Sequence, residues 1–268
     1  MKGGTLIEIE SLSKSFGRIN VLRDISLTVA LGEKLVIVGA SGSGKTTLLD
    51  LMAGQTRPDS GKILIDGRDI GRMSEREKDG YRKSIGIAFQ MGGLLGSLSL
   101  ADNVALPLRY HTELPETLIR TIVRLKLQLV ELREWARSFP HELSGGMLKR
   151  AGIAWALAME PRVLFYDEPT AGLDAVTAAH INELMLKLNE GLGVTSVVVT
   201  HSLETARRVA DRIVLLDGGR VAAEGSPKEL WASRDPLVEQ FLHGRSRGPM
   251  TERIDLAGYY EDLLTLDG

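Results

Sequence analysis

The stretch Gly39-Ala-Ser-Gly-Ser-Gly-Lys-Thr-Thr47 constrains this chain more than any other feature. It follows a run of apolar β-formers at Lys34–Val38 and opens a helical pattern over Lys45–Ala53. Gly39, Gly44, Lys45 and Thr46 stand at the defining positions of a P-loop. Each residue type has a physical reason. Glycines let backbone amides turn inward without a Cβ in the way, which makes a nest for oxyanions. A helix starting near Lys45 points its positive end at the same spot. The Lys45 ammonium adds a point charge beside β- and γ-phosphates, and the Thr46 hydroxyl is a ligand for Mg²⁺. The phosphate-binding loop is therefore expected to comprise Gly39, Ala40, Ser41, Gly42, Ser43, Gly44, Lys45, Thr46 and Thr47. A strand, this loop and a helix in succession belong to an α/β fold with the site at the carboxyl ends of the strands.

The remaining pattern agrees with that class. Short β-branched runs predict strands at Leu6–Ile9, Asp24–Val29, Lys34–Val38, Lys62–Ile65, Ile85–Phe89, Arg162–Tyr166, Thr195–Thr200, Arg212–Leu216 and Arg220–Glu224. Helical periodicity covers Lys45–Ala53, Glu116–Val130, Gly145–Met159, Ala175–Asn189, Leu203–Ala210 and Pro227–Ala232. Ser226, Pro227 and Glu229 form a capping box at the start of the last. Strand–helix alternation predicts a mainly parallel sheet with helices on both faces. From about Ser97 to Leu143 the alternation breaks, and this region is read as an inserted helical subdomain, about 97–158 with the following helix included.

At 268 residues the chain has ample length for a core. A net charge of −2 gives no global basic field to recruit nucleic acid or anionic lipid. With no Cys, disulfides, a cysteine nucleophile and thiolate metal sites are excluded. The longest apolar stretch, Gly152–Met159, is far shorter than a membrane span. Glu8 and Glu10 stand where a signal peptide would need apolar residues, so the default expectation is a soluble cytoplasmic protein.

Val163-Leu-Phe-Tyr-Asp167-Glu168-Pro169 delivers two adjacent carboxylates from the end of an apolar strand. Asp167 is placed to reach a Mg²⁺ shell through water, and Glu168 to orient or deprotonate an attacking water. Leu143-Ser144-Gly145-Gly146-Met147 then narrows the reading. It resembles the signature motif of ATP-binding cassette (ABC) ATPases, with Met147 in place of the usual Gln. Other elements follow in family order. Phe16 resembles the aromatic that stacks on adenine. Gln90 resembles the Q-loop glutamine, which senses Mg²⁺ and faces the membrane partner. Asp174 in Ala171-Gly-Leu-Asp174 resembles the D-loop aspartate, and His201 the switch histidine at the γ-phosphate. Read from the residues alone, each has a plainer role: a turn anchor, a loop Gln, a helix cap, a structural His.

The resemblance covers about residues 5–243. It implies a P-loop NTPase cassette with a parallel core, an antiparallel β subdomain and the helical insertion. It also implies ATP and Mg²⁺ as ligands and hydrolysis with Glu168, His201 and Gln90 as catalytic residues. Thr46, Gln90 and Asp167 are then the groups at the metal. In this family the site is divided: ATP on one chain is closed by Ser144, Gly145, Gly146 and Met147 of another. One set of motifs implies a homodimer.

Met147, the stretch Phe89–Arg109 and Gly244-Arg-Ser-Arg-Gly-Pro249 are similar to the ATPases of phospholipid transporters that work with MCE-domain proteins, the Mla (maintenance of lipid asymmetry) type. That implies permease subunits, an MCE lipid-binding protein, in many cases a STAS-domain protein, and no nucleic acid. The place would be the cytoplasmic face of the bacterial inner membrane, peripheral and held through the permease. Other ABC importers or exporters, and non-transport ABC ATPases of DNA repair or translation, remain the alternatives. The tail, 244–268, is expected to leave the cassette at Gly248-Pro249. Its Ile254, Leu256, Tyr259, Tyr260, Leu263 and Leu264 would pack on their own subunit or tether the other cassette.

Overall fold

The computed structural model describes residues 4–90 and 92–251. Strands β1 (Thr5–Phe16) and β2 (Ile19–Ala30) form a long hairpin. β3 (Lys34–Gly39) leads through the glycine-rich loop into α1 (Lys45–Met52). β4 (Ser60–Ile65) and β5 (Arg68–Asp69) complete an antiparallel sheet in the order β2-β1-β4-β5. Next come α2 (Glu75–Lys83), β6 (Ile85–Ala88), α3 (Leu100–His111), α4 (Glu116–Leu129) and α5 (Gly145–Ala156). β7 (Val163–Asp167), α6 (Ala175–Leu192), β8 (Thr195–Thr200), α7 (Leu203–Val209) and β9 (Arg212–Asp217) follow. β10 (Arg220–Gly225), α8 (Pro227–Trp231) and α9 (Pro236–Leu242) end the described chain's regular elements. The second sheet has the order β10-β9-β3-β8-β7-β6. It is parallel from β9 to β6, with β10 antiparallel at the edge.

Strand alternation builds two cores from one sheet. Val36 and Val38 of β3, with Leu164 and Tyr166 of β7, face the cluster that holds Val104 of α3, Val123 of α4 and Ile153 of α5. Leu35, Ile37, Val163 and Phe165 face the opposite cluster, with Leu48 and Leu51 of α1 and Ile7, Ile9 and Ile25 of the antiparallel sheet. A sheet covered on both faces explains why β3, β7 and β8 read as continuous apolar runs.

Three helices were not expected from periodicity. α2 is strongly polar and buries only Lys78 and Tyr81. Its support is local: the Ser74–Glu77 capping box, a Lys78–Glu75 pair at 2.9 Å and an Arg82–Asp79 pair at 2.7 Å. α3 carries Pro107 inside it, which normally argues against a helix, but Ser99 caps it and Leu100, Val104 and Leu108 are buried. α9 starts on an Asp235 cap with Pro236 at its first position. β1 runs well past the expected Ile9 because register shifts between Ile9 and Leu12 and between Leu12 and Lys14 let it bend and continue.

The chain does not leave the cassette at Gly248-Pro249. α9 already ends at Leu242, and the segment to Thr251 folds back on the buried Gln240. The Gln240 amide donates to Arg245 O at 3.3 Å and to Thr251 Oγ1 at 3.1 Å, and accepts from Met250 N–H at 2.8 Å. The apolar residues from Ile254 to Leu264 lie outside the described residues.

Candidate functional site

The glycine-rich loop turns where β3 ends and α1 begins. Gly44 stands immediately before α1 with φ 98°, a left-handed backbone that favours glycine, and a Cβ there would meet Leu22 Cδ2 at 2.6 Å. Ser43, Gly44 and Lys45 are buried, while Ser41, Gly42 and Thr46 are exposed. The Lys45 ammonium donates to Gly39 O and Ala40 O, both at 2.9 Å, so the cation lies folded along its own loop. Burial lowers its pKa, and the charges of Glu168 and Asp167 act in the opposite direction.

β7 brings the carboxylates to the same end of the sheet. Thr46 Oγ1 donates to Asp167 Oδ1 at 3.5 Å. Asp167 is held above the ordinary carboxylate range by burial and by the neighbouring charge of Glu168. A divalent cation beside it would relieve both effects. Thr46 and Asp167 offer the hard oxygen donors that Mg²⁺ takes together with phosphates. Burial, and then the charge of Asp167, also raise Asp50 on α1.

Glu168 is conformationally unusual, with φ 46° in the left-handed region. Its N–H donates to Val199 O at 2.9 Å, its Oε2 accepts from Thr200 Oγ1 at 2.9 Å, and His201 Nδ1 lies 2.9 Å from its Oε1. The His201 N–H also donates to Oε2 at 3.3 Å. β7 and β8 are adjacent and parallel, and that register places His201 beside Glu168. A carboxylate so fixed next to an exposed imidazole can accept a proton from a bound water.

Gln90 is exposed just after β6, and its backbone carbonyl accepts from Lys149 Nζ at 2.6 Å. Phe16 ends β1, 53% exposed as a residue, with the Lys14 ammonium 5.3 Å from its ring centroid. Ser144 caps α5, accepting from Met147 N–H at 3.3 Å; Ser144 and Gly145 are exposed, and Gly146 is buried. Asp174 caps α6, accepting from Thr177 Oγ1 at 2.6 Å and from Thr177 N–H and Val176 N–H at 3.0 Å; the Thr177 hydroxyl first, then the backbone bonds, holds its carboxyl below the usual range. Among the described residues no hydrogen bond or ion pair joins Ser144–Met147 to Gly39–Thr47. The structure thus gathers Lys45, Thr46, Asp167, Glu168 and His201 into one site and leaves the Ser144 turn outside it.

Sequence reasoning missed Thr200 and Lys149. Lys149 Nζ also donates to Glu168 O, at 2.8 Å. The signal was a basic residue on a helix of small apolar residues, with Gly145, Gly146, Gly152 and Ile153 at its helical neighbours. Such a cation needs partners from elsewhere in the fold.

The family profile described as "ABC transporter" matches residues 22–171. The chain is 43% identical over 258 residues to the Haemophilus influenzae intermembrane phospholipid transport system ATP-binding protein MlaF, covering 96% of this chain and 98% of that one. It is 42% identical over 266 residues to the Mycobacterium tuberculosis probable ribonucleotide transport ATP-binding protein mkl, covering 98% of this chain and 74% of that one. Its fold is similar to the dimeric, post-hydrolysis ATP-binding cassette MJ0796 bound to ADP and Pi. There the TM-score is 0.77 at 33% identity, over 84% of this chain and all of that one.

Proposed function

The chain belongs to the ABC transporter family as an ATP-binding, ATP-hydrolysing subunit, and on that premise we propose that it powers phospholipid transport between bacterial membranes. The observation that carries this reading is the end-to-end match to a phospholipid-transport ATPase. The mkl relative is nearly as similar in identity, but this chain spans only 74% of it.

The residue roles follow from the geometry. The loop from Gly39 to Thr47 cradles the triphosphate, with Lys45 swinging from its own carbonyls to the β- and γ-phosphates. Thr46 and Asp167 would hold Mg²⁺, with Gln90 at its edge; bound there, the ion neutralises charge on the transferring phosphoryl group. Glu168 takes the proton of the attacking water. His201, held at 2.9 Å from that carboxylate, faces the γ-phosphate. Phe16 stacks on adenine. Ser144, Gly145, Gly146 and Met147 close the site of a second copy, with Asp174 at the seam.

The permease docks beside Gln90. A cavity of about 510 Å³ there is lined by Phe89, Trp155, Pro107 and Ile87, with Lys83 and the paired Arg82 and Asp79 among its polar residues. That mix suits an amphipathic helix of a membrane partner. Further partners are an MCE-domain protein and a STAS-domain protein. The location is the cytoplasmic face of the inner membrane; no helix among the described residues is long and apolar enough to cross it. The tail beyond Thr251 tethers the second cassette.

The test is to purify the tagged chain from detergent-solubilised membranes, identify its partners and reconstitute the complex in vesicles. Recovery of a multi-span permease with an MCE protein, and ATPase activity stimulated by phospholipid, is expected. A complex without an MCE protein, stimulated by ribonucleotides and not by phospholipid, would overturn the substrate assignment.

A further inference from the structure

Lys149 reaches from the signature helix to two other motifs at once. Its ammonium donates to Gln90 O at 2.6 Å and to Glu168 O at 2.8 Å. Both acceptors are backbone carbonyls, so rotation of the Gln90 or Glu168 side chain leaves the bonds in place. One belongs to Gln90, in the loop where the permease is proposed to dock. The other belongs to a carboxylate-bearing residue in left-handed backbone, a conformation that persists only when its surroundings hold it. Lys149 is half-buried, with Asp167 and Glu168 as its nearby opposing charges.

The rest of that helix face seats the same loop. Gly152 lies one turn on, where a Cβ would meet Gly92 O at 2.9 Å and Gly92 Cα at 3.2 Å. One turn further, Trp155 packs against Phe89 with ring centroids 6.2 Å apart. Positions 149, 152 and 155 recur at helical spacing and form one stripe. Phe89, Gln90 and Gly92 therefore ride on α5, and Lys149 is where they are bolted to the catalytic turn.

We propose that Lys149 is a positioning residue for hydrolysis: it couples the signature helix and the Gln90 loop to the backbone that aims the Glu168 carboxylate. The proposal rests on Glu168 being the proton acceptor. Movement of α5 on dimer closure or permease docking then shifts the Glu168 carbonyl directly. ATP binding is largely spared, because Lys149 touches none of the loop from Gly39 to Thr47.

The experiment compares Lys149→Met, Lys149→Gln and Lys149→Arg with wild type, as full chains in their purified complex. Glu168→Gln serves as reference. We expect Lys149→Met to lower kcat roughly tenfold to hundredfold, the scale of a misplaced catalytic group. KM and ATP affinity should stay within about twofold, the pattern of an interaction used in the transition state. Lys149→Arg should recover most of the rate, because a guanidinium can also donate to two carbonyls. Lys149→Gln, with one amide group to donate, should fall between them and covers the case in which the Met variant fails to fold. Wild-type kcat in the Met or Gln variant overturns the proposal. So does a loss of kcat that tracks lost ATP binding or melting temperature and is not rescued by Arg. Wild-type turnover in Glu168→Gln would instead sink the assignment of Glu168, whatever Lys149 does.

Discussion

Replacing Glu168 with Gln removes a proton acceptor and leaves its cage nearly intact. In the native site one carboxylate oxygen accepts from Thr200 Oγ1 and the His201 N–H, and the other lies 2.9 Å from His201 Nδ1. A Gln carbonyl can keep the first two bonds. Its amide N–H₂ can donate to Nδ1 if the imidazole carries its proton on Nε2, a tautomer open to an exposed ring. The variant should therefore fold and melt like the native chain, within about 0.5–1.5 kcal/mol, the worth of a single rearranged hydrogen bond. Catalysis should suffer far more. General-base assistance is worth on the order of 10²–10⁴-fold, or about 3–5 kcal/mol of barrier. ATP affinity should hold, since Lys45 and the loop amides are untouched. The assay is single-turnover hydrolysis beside calorimetric ATP binding and sedimentation. Slow hydrolysis, native affinity and an ATP-trapped dimer are expected. Turnover at the native rate would refute the role of Glu168 and make its left-handed backbone a structural feature.

Lys45→Ala removes a cation that can move from the Gly39 and Ala40 carbonyls to phosphate, and should weaken ATP binding about tenfold to hundredfold by calorimetry. Truncation after Gly244 strips the 4%-exposed Gln240 amide of its partners at Met250 and Thr251, and should lower stability by about 1–3 kcal/mol in melting experiments. Truncation after Thr251 should leave folding and ATP binding unchanged yet weaken the nucleotide-free dimer, read by sedimentation; an unaltered dimer would dismiss the tether.

The site was legible in the sequence wherever its chemistry is local. The loop from Gly39 to Thr47 and the Asp167–Glu168 pair are each contiguous residues whose types carry their own signal, as does the Ser144 cap outside that site. The buried strands were legible for a related reason: a sheet covered on both faces needs unbroken apolar runs such as Val197-Val-Val199. What stayed hidden depends on distant residues or on signals that conflict. α2 has no apolar stripe, and its helix rests on caps and ion pairs. α3 pairs a helix-breaking Pro107 with a buried face that becomes apparent only once α4 and α5 cover it. Lys149 reaches carbonyls distant in sequence, and no spacing rule reports such a contact. The left-handed backbone of Glu168 is likewise set by the partners that hold it, not by its neighbours in the chain.

The central claim is that this chain carries half of an ATP site on each of two surfaces. Mixing tests it most directly. A Lys45→Ala chain has a damaged loop and an intact Ser144 turn; a Ser144→Arg chain has the reverse. A hybrid dimer then holds one site with both defects and one site with none. The measurement is ATPase activity of each variant alone and of an equal mixture, with wild type followed through dilution. Near-inactive variants that regain activity on mixing, and a wild-type specific activity that falls on dilution, are predicted. No regained activity, together with constant specific activity down to nanomolar protein, would contradict the shared site.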